Sequence, residues 1–145
     1  MGFQTVVVGV DGSECSQRAL DAALAVTEAG GTIHVVSAFD TPSTRMVNEV
    51  YASVPAEYVA NIDLLAEPRG KLEDAVRHAS DRGFTIVDHF VDDDPASAIL
   101  DTATDVTADL IVVGSRGLGR ASQVLRGSVS TKIAHHSQID FLVIH

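Results

Sequence analysis

The sequence predicts a single α/β domain built on a doubly wound parallel sheet with helices on both faces. Short runs of Val, Ile and Leu alternate five times with segments of helical periodicity, a pattern that right-handed crossovers between parallel strands satisfy. Most of these runs are continuously apolar, as in strands buried on both faces. The length of 145 residues suits one domain, which we expect to span residues 1–145.

Turn and cap residues separate the predicted elements. Gly30-Gly31 is expected to end the first helix, and Asp94 with Pro95 to begin a later one. Pro68 and Gly70 fall inside a long helical segment and are expected to bend or break it. In chain order, the prediction is a strand at 5–10, a helix at 16–29, a strand at 32–39, a loop at 40–54, a helix at 56–81, an alternating edge strand at 84–91, a helix at 95–105, a strand at 108–114, a glycine-rich loop, a helix at 128–136 and a strand at 140–144.

The charge balance excludes some classes of partner. The net charge is −10, so the surface repels phosphate backbones and general nucleic-acid binding is not expected. Only Lys71 and Lys132 are lysines. An acidic, lysine-poor composition is typical of a halophilic archaeon, in whose cytoplasm salt screens self-repulsion, and the alternative is an ordinary acidic cytosolic protein. No apolar run is long enough to span a bilayer and no basic-then-apolar signal opens the chain, so we expect a cytoplasmic protein without membrane contact. Cys15 is the one cysteine, and its acidic neighbourhood favours a structural role.

Two segments follow strands at the edge where doubly wound sheets bind ligands. The first is Asp11-Gly12-Ser13, after the first strand. The second is the glycine-rich segment 114–130, after the fourth strand, which combines glycines, serines and three arginines, Arg116, Arg120 and Arg126. Glycines allow a phosphate to approach the backbone closely, and the helix that starts at 128 offers unpaired N–H groups. The segment therefore predicts a phosphate site, against the alternative of a serine-capped surface loop.

Common phosphate-binding motifs do not fit this segment. No Gly-Lys-Ser/Thr follows the glycines, so it is not a Walker loop. Gly117-Leu118-Gly119 resembles half of a dinucleotide fingerprint, but the third glycine is missing and the segment follows the fourth strand instead of the first. An NAD site is accordingly disfavoured.

The motifs resemble those of the universal stress protein family, in the subgroup that binds ATP. The resemblance rests on Gly114-x-x-Gly117, nine residues and then Gly127-Ser128, together with Val10-Asp11-Gly12-Ser13 after the opening strand. It covers residues 5–144 and implies a sheet order of 3-2-1-4-5, bound ATP or AMP, and a homodimer formed through the last strand, Phe141-Leu142-Val143-Ile144. The implied nucleotide-binding residues are Val10, Asp11, Gly12, Ser13, Ala38, Gly114, Ser115, Arg116, Gly117, Gly119, Arg120, Gly127, Ser128, Val129 and Ser130.

The resemblance also implies roles within this site. Asp11 would lie near the ribose and phosphates or hold a nucleotide-bound Mg²⁺, and the backbone of Ala38 would meet the adenine edge. The glycine-rich segment has no clear catalytic group for hydrolysis, so we expect a nucleotide-binding stress-response regulator with no catalytic residues. The alternatives are a slow ATPase at the same site and a dimeric interaction protein with an unused pocket.

Other polar residues are assigned structural roles. His135 and His136 are adjacent on a helix and do not face the same way, so a metal pair is disfavoured. His34 and His89 lie in strands and are predicted to be packed or paired. Asp92-Asp93-Asp94 is predicted to be a solvated turn whose last aspartate caps a helix.

Overall fold

A five-stranded, wholly parallel sheet forms the centre of the molecule. The computed structural model describes residues 2–115 and 128–145. The strand order is β3-β2-β1-β4-β5, which confirms the order implied by the sequence motifs. The strands are β1 (Phe3–Gly9), β2 (Thr27–Phe39), β3 (Thr85–Asp92), β4 (Leu110–Gly114) and β5 (Phe141–Ile144).

Helices cover both faces of the sheet. Helices α1 and α3 pack on one face with the side chains of Val6 and Val8, while α4 and α5 pack on the other face with Val7. Successive residues of a strand point to opposite faces, so an unbroken apolar run such as residues 6–8 supplies both layers of core. The helices are α1 (Glu14–Val26), α2 (Thr44–Ser53), α3 (Ala66–Ala79), α4 (Pro95–Asp105) and α5 (Ser128–His136), with a short 3₁₀ helix at Ala56–Asn61.

The predicted end of the first helix was wrong by three residues. Helix α1 ends at Val26, and β2 begins directly at Thr27, whose hydroxyl donates to the carbonyl of Ala23 at 2.6 Å. Regular pairing with β1 nevertheless begins only at Thr32, after a register shift that contains Gly30 at φ +80°. The prediction therefore located the regular part of β2 and missed its irregular start.

Two predictions on the segment after β2 were also wrong. The predicted loop at 40–54 contains α2, which Ser43 caps by accepting a hydrogen bond from the backbone N–H of Met46 at 3.2 Å. The predicted long helix at 56–81 is divided into the 3₁₀ helix and α3. Pro68 lies in the first turn of α3, where a missing N–H leaves no helical hydrogen bond unmade, so it is tolerated there instead of bending a longer helix.

The sheet changes winding direction between its two central strands. β1 and β4 are neighbours, but β1 leads into α1 on one face and β4 leads toward α5 on the other. At such a point the two connections diverge and leave a crevice at the carboxyl edge of the sheet. The strand order therefore brings the loop after β1 and the end of β4 together at the carboxyl edge of the sheet. Among the helices of residues 2–115 and 128–145, none is long and apolar enough to cross a membrane.

Candidate functional site

The loop after β1 is held in a defined turn. The Asp11 carboxylate accepts a hydrogen bond from the Ser13 backbone N–H at 2.9 Å, and the Ser13 hydroxyl in turn accepts from the Ser16 N–H at 3.1 Å as the N-cap of α1. The Asp11 N–H donates to the Ser16 hydroxyl at 3.3 Å. Asp11 is half-buried and stands where the resemblance expects it, directly after β1 at the carboxyl edge. The turn thus engages one of the two carboxylate oxygens.

Gly12 is required in this turn for two reasons. Its φ is +81°, a left-handed conformation that disfavours other residues. The side chain of Lys71 from α3 also lies against it, and a Cβ at residue 12 would be 2.8 Å from Lys71 Cδ and 3.2 Å from its Cε. The stem of Lys71 therefore crosses the loop, and its ammonium pairs with Glu67 at 2.9 Å. That hydrogen bond holds the pKa of the Glu67 carboxyl below its usual value.

A cleft opens between this loop and α3. Its volume is about 220 Å³, and its lining includes Val10, Gly12, Ser16, Gln17, Lys71 and Asp74. The first turns of α3 also carry Arg69, whose guanidinium lies 5.7 Å from the centre of the Phe90 ring and pairs with Asp63 at 2.5 Å. The first half of α3 thus forms a wall along the carboxyl edge of the sheet.

The end of β2 extends past its neighbour. The last residues in register between β1 and β2 are Gly9 and Val36, and the Val10 N–H adds one more bond to the Val36 carbonyl at 2.9 Å. Ala38 lies beyond this ladder while still in register with Val91 of β3. Its backbone on the β1 side therefore faces the crevice, as the resemblance requires of a residue that meets an adenine edge.

The end of β4 lies directly against the first turn of α1. Gly114 pairs with Ile144 of β5, and the Ser115 N–H donates to the Ile144 carbonyl at 2.7 Å. A Cβ at residue 114 would lie 2.9 Å from Cys15 Sγ and 3.1 Å from the Cys15 backbone carbonyl. The Cys15 thiol also donates to the Ile144 carbonyl at 3.2 Å. The thiol is thus packed between α1 and the ends of β4 and β5, which fits the structural role predicted for it.

The start of α5 reaches the same edge from the other face. Ser128 is exposed, whereas Val129 and Ser130 are buried. One turn later the Lys132 ammonium bonds the carboxylate of Asp94, the N-cap of α4, at 2.6 Å. This hydrogen bond is the main reason that the pKa of Asp94 lies below its usual value. The capping role predicted for Asp94 is confirmed.

Five of the predicted binding residues lie outside the described residues. They are Arg116, Gly117, Gly119, Arg120 and Gly127. The remaining predicted residues lie at the carboxyl edge, on the loop after β1, the ends of β2 and β4 and the start of α5.

The histidines predicted on strands are paired, and those at the end of α5 are exposed. His34 Nδ1 and His89 Nε2 are 2.9 Å apart on β2 and β3, which agrees with the prediction that both are packed or paired. Burial together with the nearby His89 lowers the pKa of His34. His135 and His136 are exposed at the end of α5. Within the described residues, no three His, Cys, Asp or Glu side chains are grouped so that they could hold a metal. A Mg²⁺ here would thus need phosphate oxygens beside Asp11, which is how proteins usually hold this ion.

Comparison with known proteins decides the family. The sequence profile of the universal stress protein family matches residues 2–145. The chain belongs to this family. Universal stress protein YxiE of Bacillus subtilis is 30% identical over 148 residues, which cover 98% of this chain and 99% of that protein.

Solved structures of the family share the fold. A universal stress protein in complex with cAMP is 30% identical and superimposes with a TM-score of 0.68, covering 100% of this chain and 98% of the other. The universal stress protein of Archaeoglobus fulgidus in complex with dAMP covers both chains fully at 24% identity and a TM-score of 0.67, which supports the fold alone.

Sequence reasoning missed the contribution of α3 to the site. Lys71 was noted only as one of two lysines, and residues 56–81 were treated as one helix. Helical periodicity could have placed Leu72 and Ala75 on the buried face, as they are in the structure. No pattern in the sequence, however, indicates which loop the neighbouring Lys71 would reach.

Proposed function

We propose that this protein is a regulatory module that binds an adenine nucleotide, ATP or AMP, in the crevice at the carboxyl edge of its sheet. The observation that carries the proposal is the convergence of the loop after β1, the ends of β2 and β4 and the start of α5 at the point where the sheet changes winding direction. Such points are the ligand sites of open α/β sheets. A relative of 30% identity whose fold matches over the full chain was solved with cAMP, an adenine nucleotide, which supports the same ligand class here.

The proposed contacts are those of the sequence motif. The loop after β1 and the start of α5 would face the ribose and phosphates, and the backbone of Ala38 the adenine. The proposed binding residues are Val10, Asp11, Gly12, Ser13, Ala38, Gly114, Ser115, Arg116, Gly117, Gly119, Arg120, Gly127, Ser128, Val129 and Ser130. We also propose a cytoplasmic location, as the composition predicts, because the cytoplasm holds a pool of adenine nucleotides. The proposed organism is a halophile with a salt-rich cytoplasm.

The first test is direct binding. We expect nucleotide to be released from denatured, freshly purified protein, and ATP or AMP to bind in calorimetric titrations. If no nucleotide copurifies and neither ATP, AMP nor cAMP binds at millimolar concentration, the proposal is wrong.

The proposed role of Asp11 in holding Mg²⁺ can be tested by a substitution that replaces one carboxylate oxygen with an amide nitrogen. Asp11→Asn keeps an oxygen to accept from the Ser13 N–H, so the turn survives while the charge is lost. We expect Mg²⁺ to raise the affinity of the unmodified protein for ATP and to have no such effect on Asp11→Asn. An equal Mg²⁺ effect in both proteins would remove Asp11 from the metal site.

The dimer is proposed through β5. This strand lies at the sheet edge, and Phe141 in it is 40% exposed, so a two-fold related copy could cover both its backbone and its apolar side chains. We expect a dimer in light scattering and a shift to monomer in Phe141→Lys. Tyr58→Lys, which changes an aromatic side chain that is 56% exposed in the 3₁₀ helix, is the matched control and should remain dimeric.

A slow ATPase at the same site is the second candidate, and one observation favours it. Gln17 lines the cleft beside Gly12, and a glutamine can orient an attacking water. Phosphate release above background that is lost in Gln17→Ala while ATP still binds would establish this activity. Release that is unchanged in Gln17→Ala would exclude this residue from it.

A further inference from the structure

The last residues of β2 have a sheet neighbour on one side only. Val36 is the last residue in register with β1, and its carbonyl accepts from the Val10 N–H; beyond it, among the described residues, β2 pairs with β3 alone. Backbone groups of a strand alternate between its two sides, so Ala38 directs its N–H and C=O to the same side as Val36, which is the side of the crevice. Phe39 faces β3 instead, where its carbonyl accepts from the Asp93 N–H at 3.1 Å.

The Asp92 carboxylate fastens the chain that leaves β2 to the end of β3. One oxygen accepts from the Thr41 backbone N–H at 3.0 Å, and the other accepts from the Thr41 hydroxyl. The bond from the Asp93 N–H to the Phe39 carbonyl joins the same two segments. The sequence predicted only a solvated turn here. Asp92 is exposed, yet both of its oxygens hold the end of β2 in place.

A stack of rings supports the same segment through its side chains. The Phe39 and Phe90 rings stack with their centres 4.2 Å apart, and the Arg69 guanidinium of α3 lies 5.7 Å from the centre of the Phe90 ring. Stacked rings and a cation near a ring face are both attractive arrangements, so Phe39 is held by its side chain as well as by its backbone. Ala38, the residue before it, therefore presents its backbone to the crevice from a fixed position.

We propose that Asp92 is a positioning residue that gives the site a preference for adenine over guanine. The inference rests on the proposed function, because it concerns how the Ala38 backbone meets the base. Adenine carries an amino donor at the ring position where guanine carries a carbonyl acceptor. A carbonyl held rigidly at Ala38 accepts from the amino group of adenine, whereas it faces an acceptor in guanine and stays unpaired. Asp92 acts through the chain after β2, without touching the base.

The test compares the affinities for ATP and GTP, which share their triphosphate and differ in the base. Asp92→Ala removes both acceptors, so we expect the ratio of ATP to GTP affinity to fall at least about fivefold, while the ratio of ATP to AMP affinity stays unchanged because both carry adenine. Asp92→Asn keeps an oxygen for the Thr41 N–H and gains an amide that can donate to the hydroxyl, so it should retain most of the preference.

Two further variants separate the effect from charge and from general loosening of the fold. Asp88→Ala removes an exposed carboxylate from the same strand, four residues nearer the amino edge, and should leave the ratio of ATP to GTP affinity unchanged. Thr41→Val removes the hydroxyl contact and keeps the backbone N–H, so its ratio should fall in the same direction as in Asp92→Ala, but by less.

Each outcome bears on a different part of the inference. If the ATP and GTP affinities fall equally in Asp92→Ala, the residue is merely structural and the inference is wrong. An Asp92→Asn protein as unselective as Asp92→Ala would attribute the effect to charge and refute it as well. Equal affinities of the unmodified protein for ATP and GTP would overturn the base preference and leave the proposed function intact. If the unmodified protein binds no nucleotide, the proposed function itself fails, and the inference with it.

Discussion

Gly114→Ala tests how closely α1 lies on the end of β4. The new methyl carbon would lie 2.9 Å from Cys15 Sγ and 3.1 Å from both the carbonyl carbon and the oxygen of Cys15. Ordinary contacts between heavy atoms are about 3.5–4.0 Å, so the first turn of α1 has to retreat by roughly half an ångström. Two of the three contacts are backbone atoms, which no rotamer change can move. We therefore expect a cost at the upper end of the usual range for overpacking, about 2–3 kcal/mol.

Urea denaturation measures this cost, and a double-mutant cycle assigns it. Cys15→Ala removes the sulfur contact and leaves the backbone contacts, so the double variant should be less destabilised than the sum of the single variants by about 1 kcal/mol. Gly70→Ala is the control, because a Cβ at residue 70 meets nothing within 4 Å and α3 gains a better helix former. It should stabilise the protein by about 0.5–1 kcal/mol.

Two results would refute the reasoning about Gly114. If the free energy of unfolding of Gly114→Ala is within about 0.5 kcal/mol of that of the unmodified protein, α1 moves away from β4 without a measurable loss of stability. If the costs of Gly114→Ala and Cys15→Ala simply add, the strain does not involve the thiol. The same variant should also weaken nucleotide binding, because the first turn of α1 carries the loop after β1.

Three further predictions concern single residues. Gly12 and Gly83 both have a φ near +80°, so Gly12→Ala and Gly83→Ala should each lower the free energy of unfolding by about 1–2 kcal/mol in urea denaturation. Only Gly12→Ala displaces the Lys71 stem, so it alone should weaken ATP binding in calorimetry. Equal ATP affinities of the two variants would refute this. Because the pKa of His34 is lowered in the folded protein, the unfolded chain binds a proton at this residue more readily. Tm should therefore fall as the pH drops below about 6.5, and it should fall less in His34→Gln. Parallel curves of Tm against pH for the two proteins would refute this prediction. Asp94→Ala removes the cap of α4 and should cost about 1 kcal/mol in urea, and a change within error would contradict the capping role.

The fold was predictable because the strongest signals act locally. The continuous apolar run at residues 6–8 packs against helices on both faces of the sheet. Asp94-Pro95 combines a preferred N-cap residue with proline at the first helical position, which is a strong local signal for a helix start. The errors arose where tertiary contacts outweigh local signals. The helix α1 ends before Gly30 because β2 already pairs at Thr27 with Phe3 of β1, a partner more than twenty residues away.

The candidate site was predictable only in part, for the same reason. Asp11 lies just after β1 and Gly114 is the last residue of β4, both in a recognisable motif, so their position at a common edge follows from the strand order. Lys71 belongs to no motif, and its position depends on the packing of α3 against α1 and β2. The helix α2 was missed because Thr41-Pro42-Ser43-Thr44 was interpreted as a loop, although Met46, Val47, Val50 and Tyr51 repeat at helical spacing; the helix buries none of its residues.

The positions of the two lysines help to reconcile an acidic protein with the anionic ligand that we propose for it. At the amino edge, carboxylates serve the backbone, as Asp109 does by accepting from the N–H groups of Gln4 and Thr5. Both lysines of the sequence lie at the carboxyl edge, Lys71 on the loop after β1 and Lys132 beside the cap of α4. At physiological salt the screening length is about 8 Å, so repulsion from distant carboxylates is largely removed, whereas a lysine in contact with a phosphate is screened much less. A net charge of −10 therefore opposes the approach of a nucleotide mainly in dilute solution. At high salt, the local cations would determine binding.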